Sequence, residues 1–292
     1  MQALVAASFL TPILALLSRR LQEIGRKALA RRPGLIFFVP PILSAVFCTF
    51  AAAAGGFSFA LALLILIYTL VPAICAFLIR DRPAPTWIDF AIILLLWLPL
   101  EFSIGAGLIP RPVQGLLHMA AYGVSITLAL ILFGLLRRLE GMKYNAPLSA
   151  CDLLNPLLGF AIAAPVLIVT GRAVGFIDPF HLPARFSPVG LAAQFFLILA
   201  ATALPEEILF RGLIQNSLMQ RLGPGFGTLL LGALIFGCAH LDNGPGPLPN
   251  WRYMIVATIA GVAYGKVFEK SSSIFASAAL HALVNTIKHS FF

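Results

Sequence analysis

The sequence predicts an all-α membrane protein, a polytopic bundle of about eight to ten transmembrane helices. Composition is the first observation behind this fold class: 60% of the 292 residues are hydrophobic and only 11% are charged. A soluble domain usually carries about 25% charged residues, which supply the polar surface that water requires. The second observation is the mean hydropathy of +0.96. The third is a succession of apolar stretches, most of them near the ~20 residues that a helix needs to cross a bilayer.

The candidate spans are bounded by charged residues or by Gly and Pro turns. The first is short, and no basic residue precedes it, so we expect an uncleaved anchor rather than a secretory signal. After it, residues 18–31 place apolar side chains at helical spacing among basic ones. This pattern predicts either an amphipathic helix on the inner leaflet or a solvated loop. In chain order the candidate spans cover residues 2–17, 34–54, 57–79, 88–109, 115–136, 153–175, 189–221, 225–241, 253–268 and 272–290.

Lys and Arg residues concentrate in every second connection between these spans. Because basic loops stay on the cytoplasmic side, the alternation supports the predicted series of spans. It also accounts for the net charge of +9, since the sequence has no basic face typical of nucleic-acid binding. We therefore expect a multi-pass protein of the cell membrane, such as a bacterial inner membrane. The expected partners are the lipid bilayer and a membrane-embedded or lipidated substrate, and not nucleic acid.

The distribution of polar residues at membrane depth divides the chain near Asp152. Residues 1–152 are predicted to form membrane helices without a recognised motif. Residues 153–292 contain nearly all the polar side chains inside apolar stretches and are predicted to form the functional core. The four cysteines form no Cys-x-x-Cys pair, so we interpret them as small buried apolar side chains.

Glu206 and Glu207 are adjacent residues inside a hydrophobic stretch, and Arg211 follows four positions after Glu207. A charge near the centre of a bilayer costs about 2.5–3.5 kcal/mol on insertion scales. Three such charges in one stretch predict a functional site. On a helix, Arg211 neighbours Glu207 and neutralises it, because residues four apart share a face. Glu206 is then left on an adjacent face for chemistry.

Two further pairs of side chains have the same spacing of four. Phe236 precedes His240, and His281 precedes Asn285. Each pair therefore presents both members to one neighbouring helix. Phe236 is interpreted as a packing residue that supports the site.

The turn around Pro224 brings two of these segments to one depth. Glu206 lies 18 residues before Pro224 and His240 lies 16 residues after it. If both arms are helical, each residue lies about 24–27 Å from the turn, at about 1.5 Å per residue. His281 also falls inside the bilayer. The sequence thus predicts that a carboxylate, two imidazoles and a carboxamide converge.

This set of side chains predicts hydrolysis by one of two routes. In the first, Glu206 with His240 acts as general base on a water molecule. His281 and Asn285 then donate hydrogen bonds to the developing oxyanion. In the second, Glu206, His240 and His281 bind a divalent metal such as zinc, whose bound water is the nucleophile. The residues alone leave both routes open, so the cofactor is either none or such a metal.

The three motifs, in this order on successive hydrophobic segments, resemble those of the CPBP intramembrane proteases. They are Glu-Glu-x-x-x-Arg ending at Arg211, Phe-x-x-x-His ending at His240, and His-x-x-x-Asn ending at Asn285. The family includes the CAAX prenyl endopeptidases of the Rce1 type and bacterial Abi-type proteins. The resemblance covers roughly residues 190–290.

The resemblance implies an endopeptidase that cleaves membrane-associated or prenylated, CAAX-like substrates. It implies that Glu206 activates the water with His240 as its partner, and that His281 and Asn285 form the oxyanion hole or contribute to a metal site. Glu207 and Arg211 would hold these groups in place.

Two other functions use similar residues. A proton- or ion-coupled transporter also places acids and histidines inside the membrane, although no internal repeat is visible in this sequence. A non-catalytic protein of the bacteriocin-immunity type would keep the fold without the chemistry.

Overall fold

A computed structural model of the protein describes residues 1–147, 149–182, 187–244 and 247–292. Within these ranges the chain forms 11 helices and no β-strand, which confirms the predicted all-α class. In chain order the helices are α1 (Gln2–Ala15), α2 (Arg19–Arg31), α3 (Pro33–Ala53), α4 (Phe59–Leu78), α5 (Trp87–Glu101), α6 (Arg111–Leu136), α7 (Ala150–Ala173), α8 (Pro188–Leu222), α9 (Phe226–Cys238), α10 (Trp251–Lys270) and α11 (Phe275–Phe291).

Five of the described helices, α3, α4, α6, α7 and α8, are long and apolar enough to cross a membrane. A sixth span results if the bent pair α1 and α2 is counted as one. The multi-pass class is thus confirmed, but the number of spans is lower than the eight to ten that we expected. Helices α5 and α9 have only 15 and 13 residues, which is short of the ~20 that cross a bilayer. Helices α10 and α11 contain basic and other polar side chains that reduce their apolar character.

The basic segment after α1 is a helix, so the interpretation of residues 18–31 as a plain loop is wrong. The side chain of Ser18 accepts a hydrogen bond from the backbone N–H of Leu21, which caps the start of α2. Helix α2 turns by 82° from α1. Arg26 donates a hydrogen bond to the carbonyl of Gly134 at 2.8 Å, while Ile24 is exposed.

The chain divides into two compact units, Met1–Glu140 and Gly141–Phe292. The first unit contains a buried ion pair that the sequence did not indicate. Arg137 donates to both carboxylate oxygens of Asp89 at 2.8 Å, and both side chains are inaccessible to solvent. Arg137 also donates to the carbonyls of Ile79 and Arg82. This residue therefore joins the end of α4 to the start of α5 and is not a free loop charge.

The second unit contains the predicted site. Hydrogen bonds hold its α10–α11 turn in place on both sides. The ammonium group of Lys143 donates to the carbonyls of Phe268 and Ser271 at 2.7 and 2.8 Å. Because the last carbonyls of a helix have no partner within it, this contact caps the end of α10. On the other side of the turn, Asp152 accepts hydrogen bonds from the backbone N–H groups of Ser272 and Ser273. The start of α11 is thereby fixed.

Candidate active site

Helix α8 changes its winding where it carries the glutamates. A short α-helical turn, Leu204–Glu207, lies between two π-helical stretches, Leu199–Ala203 and Ile208–Gln215. A π-helical turn is wider than an α-helical one and is frequent at functional sites. Arg211 lies in the second stretch and faces back toward Glu207.

Glu207, Arg211 and His281 form a buried cluster. The guanidinium Nε of Arg211 donates to Glu207 Oε2 at 3.2 Å, and neither side chain is accessible to solvent. The other carboxylate oxygen, Oε1, accepts a hydrogen bond from His281 Nδ1 at 3.2 Å. Both oxygens of Glu207 are thus engaged by neighbouring side chains, and water does not reach them. This geometry agrees with a supporting role for the pair.

Glu206 has a different environment from that of its neighbour. Its side chain is 22% exposed, whereas that of Glu207 is fully enclosed. Glu206 Oε2 lies 3.9 Å from His281 Nε2, which is too long for a direct hydrogen bond. A water molecule about 2.8 Å from each atom would contact both. The two nitrogens of His281 therefore face the two glutamates. The sequence had matched Glu206 with His240 by depth, and the contact that the structure provides is the one to His281.

His240 follows the last turn of α9, and its ring orientation is fixed. Its Nδ1 lies 2.8 Å from the carbonyl oxygen of Phe236. Since a carbonyl only accepts, Nδ1 carries the hydrogen and Nε2 keeps its lone pair. The ring also meets the edges of Phe236 and Tyr253, with centroids 4.7 and 4.5 Å apart. His240 is buried but borders a cavity.

That cavity connects the remaining predicted residues. It has a volume of about 80 Å³ and is bordered by His240, His281 and Asn285. Its other walls are mostly apolar side chains of α7, α10 and α11. The cavity is therefore large enough to hold water. The structure thus places both histidines and the asparagine around one cavity.

The residues of the alternative, metal-dependent route are not arranged as a metal site. Among the described ranges, no group of three His, Cys, Asp or Glu side chains is arranged to hold a metal ion. Glu206 and His281 approach each other, but His240 does not complete a triad with them. The three residues proposed as ligands therefore do not fit a metal in this geometry, and no step below passes through one.

Residues 188–287 match the family model of Rce1-like, type II CAAX prenyl endopeptidases. Over this segment the chain is similar to Rce1-like proteins. The matched segment begins at the start of α8 and includes all the predicted site residues, from Glu206 to Asn285. The match confirms the resemblance seen in the three motifs and supports, at the level of the family, a membrane CAAX protease. No curated protein and no solved structure matches the chain.

Two tyrosines of the matched segment border the site, and the sequence analysis did not predict them. Tyr264 is fully buried and stacks on His281, with ring centroids 4.6 Å apart and an angle of 19° between the planes. It also lies below the guanidinium of Arg211, at 5.9 Å from its Cζ. Tyr253 contacts His240. The two tyrosines are 11 residues apart, about three helical turns, and so share a face of α10. This spacing is a visible signal, but it is equally typical of packing.

Phe236 is the residue around which the aromatic groups assemble. Its ring lies 4.8 Å from the Arg211 guanidinium and 5.8 Å from the ring of His281. A cation over an aromatic face gains electrostatic stabilisation, more so when water is excluded. Phe236 thus packs against the charged cluster and also supports His240 through its carbonyl.

Proposed function

We propose that the protein is an intramembrane endopeptidase that uses a water molecule activated by Glu206. Its substrates are membrane-associated or prenylated, CAAX-like peptides. The observation that carries the proposal is the asymmetry of the glutamates: Glu207 is sealed by Arg211 and His281, while Glu206 is partly exposed and lies 3.9 Å from His281 Nε2. One carboxylate is thus enclosed by its neighbours, and the other is partly exposed.

The proposed reaction begins with a water molecule between Glu206 and His281. Glu206 accepts a proton from this water, and the resulting hydroxide attacks the carbonyl carbon of the scissile bond. The negative charge moves to the carbonyl oxygen, where the amide N–H of Asn285 donates a hydrogen bond. When the C–N bond breaks, the proton held by Glu206 passes to the leaving amine. His240 Nε2, which keeps its lone pair, accepts a hydrogen bond from the attacking water or the substrate.

The surroundings of the cavity support a hydrophobic substrate. The cavity is bordered by Phe160 and Leu167 of α7. Other side chains of α7, such as Leu157 and Ile162, are 57% and 74% exposed, as expected for a helix that faces lipid. A lipidated peptide that partitions into the bilayer would therefore reach the cavity directly from the lipid phase. We place the protein in the cell membrane, and propose the inner membrane of a bacterium.

The test compares Glu206→Gln with Glu207→Gln and with the control His289→Gln, which alters an exposed histidine of α11. Cleavage of a fluorogenic farnesylated peptide is followed with protein in nanodiscs. General-base catalysis contributes about 10²–10⁴-fold, so Glu206→Gln should lower kcat by that factor without unfolding the protein. His289→Gln should cleave at the wild-type rate.

Three outcomes would overturn parts of the proposal. Cleavage that persists in Glu206→Gln removes this residue from catalysis. If a chelator abolishes activity and zinc restores it, the enzyme uses the metal-dependent route and not the metal-free one. A substrate-driven proton flux in liposomes that Glu206→Gln abolishes, in the absence of cleavage, assigns the protein to transport.

A further inference from the structure

The first unit contains a cavity that the proposed function does not use. This first-unit cavity has a volume of about 270 Å³, compared with about 80 Å³ for the cavity at the candidate active site. Helices α3, α4, α5 and α6 and the connection from α5 to α6 line it, so it belongs entirely to Met1–Glu140. An apolar cavity of about 150 Å³ accommodates a benzene ring. The first-unit cavity is therefore large enough for a longer apolar group.

Two polar side chains on the wall of this cavity are engaged by backbone carbonyls. The hydroxyl of Tyr68 donates a hydrogen bond to the carbonyl of Leu96 at 2.5 Å. The Nε2 of Gln114 donates to the carbonyls of Ala106 and Ile109, at 3.1 Å each. Most of the other lining side chains are apolar. A polar occupant would lose its hydrogen bonds to water with little replacement, so the cavity is complementary to a hydrocarbon.

The first-unit cavity extends from the surface of the unit into its core. Ile104 and His118 line it and are exposed, Ile104 by 60%. Phe47 and Leu117 line it as well, and they are only 1% and 0% exposed. A hydrocarbon chain that enters between the exposed residues would therefore end against buried side chains.

The lining residues of α4 and α6 lie in one half of the membrane. They fall within 61–68 and 114–121, which is the first half of each helix. Both helices end beside basic residues, Arg80 after α4 and Arg138 after α6. Because basic connections stay on the cytoplasmic side, the cavity lies at the depth of the outer leaflet. The hydrocarbon that surrounds it there is that of phospholipid acyl chains.

A cation without an acidic partner lies close in sequence to the cavity. Arg111 is exposed and falls between the lining residues Ile109 and Gln114. It is the only Lys or Arg between Arg82 and Arg137. Among the described residues, no Asp or Glu forms an ion pair with it. A guanidinium group binds phosphate oxygens through two parallel hydrogen bonds, so Arg111 is complementary to a lipid phosphate.

We propose that the first unit binds one phospholipid of the outer leaflet, with an acyl chain in the first-unit cavity and the phosphate at Arg111. The chain supplies the apolar contacts that the walls of an empty cavity lack. This inference goes beyond the proposed endopeptidase function, and its test does not depend on cleavage.

Photolabelling in nanodiscs tests where the chain lies. The probe is a phosphatidylglycerol with a diazirine in one acyl chain, added to phosphatidylcholine nanodiscs, and mass spectrometry identifies the labelled residues. Leu117 is inaccessible from the surface, so a chain labels it only from within the cavity. Leu63 of α4 is 58% exposed and reports contact with bulk lipid. We expect both residues to be labelled, and labelling of Leu63 alone overturns the proposal.

Two substitutions at one lining residue test the cavity itself. Ala121→Phe fills part of it and should lower the labelling of Leu117 by about 10-fold or more, with Leu63 labelled as before. Ala121→Leu adds less volume, should lower the labelling by a smaller factor, and decides the question if the phenylalanine variant does not fold. Ala60→Phe makes the matched change at an exposed position of α4 and should alter neither signal. Labelling of Leu117 that is undiminished in the Ala121 variants overturns the proposal.

The headgroup contact is tested by charge removal. Arg111→Gln should raise the probe concentration for half-maximal labelling of Leu117 by about 2- to 5-fold, because a pair between exposed charges is weak. Arg82→Gln removes an exposed charge beyond the other end of α4 and should have no effect. The second probe is a fatty acid with the same diazirine chain. If it labels Leu117 as well as the phospholipid does, or if Arg111→Gln has no effect, the occupant is not held by its phosphate and the proposal is overturned.

Discussion

Replacing Arg211 with methionine should destabilise the protein strongly, because it leaves Glu207 buried with half of its partners. The Glu207 side chain has no solvent exposure, and its Oε2 is bonded to Arg211 at 3.2 Å. Breaking a buried ion pair by removing one partner costs about 3–5 kcal/mol. His281 Nδ1 still donates to Glu207 Oε1. We therefore expect the free energy of unfolding to fall toward the lower end of that range.

A double-mutant cycle makes this prediction specific to charge burial. The variant Arg211→Met/Glu207→Gln removes both charges and should be more stable than Arg211→Met alone, because no buried charge is left uncompensated. Lys266→Met is the control. It breaks a Lys266–Glu269 pair whose lysine is 55% exposed, and exposed pairs contribute at most about 1 kcal/mol.

The assay is reversible unfolding in mixed detergent micelles, followed by circular dichroism at a fixed protein-to-detergent ratio. Similar losses for Arg211→Met and Lys266→Met would refute the reasoning. Strict additivity of the two single changes in the double variant would refute it as well, because it would mean that Glu207 and Arg211 do not interact.

Three other predictions follow from the contacts around the site and in the first unit. Tyr264→Phe keeps the ring that stacks on His281 and should retain kcat, whereas Tyr264→Leu should lower kcat by about 10-fold with little change in KM; equal values of kcat for the two variants would mean that the stacked ring does not contribute. Nitrogen-15 NMR of His240 should show the hydrogen on Nδ1, as its bond to a carbonyl requires; a hydrogen on Nε2 alone would contradict the proposed acceptor role. Asp89→Asn should destabilise the protein by about 3 kcal/mol or more because Arg137 stays buried; in a thermal or denaturant assay, a loss below about 1 kcal/mol would contradict this.

The sequence was sufficient for the fold class and for the identity of the motifs. Composition alone requires a membrane protein, and the cost of charge in lipid singles out Glu206, Glu207 and Arg211. The pairing of Arg211 with Glu207 followed from helical spacing, and the structure contains it. Residue spacing predicts this pair correctly because both partners lie on one helix.

Contacts between residues on different helices cannot be predicted from residue spacing. Counting residues from Pro224 gives the depth of Glu206 and His240, but it does not give the rotation of either helix about its axis. His281, on a third helix, is the residue that meets both glutamates. Asp89 and Arg137 are 48 positions apart, and nothing in the sequence links them. Helices α5 and α9 are shorter than the apolar stretches that predicted them, because each stretch continues past the end of its helix.

Two π-helical stretches flank Leu204–Glu207. The direction in which the glutamate side chains point around the helix axis is therefore determined locally within α8. A single-residue deletion at the start of the second stretch, between Glu207 and Arg211, would change the winding there and remove the spacing of four that makes these two residues neighbours. The length of α8 would hardly change, and its apolar surface would still suit lipid. Glu207 and Arg211 would nevertheless lose the contact between their side chains. This short segment should therefore tolerate substitutions of its apolar side chains far better than insertions or deletions.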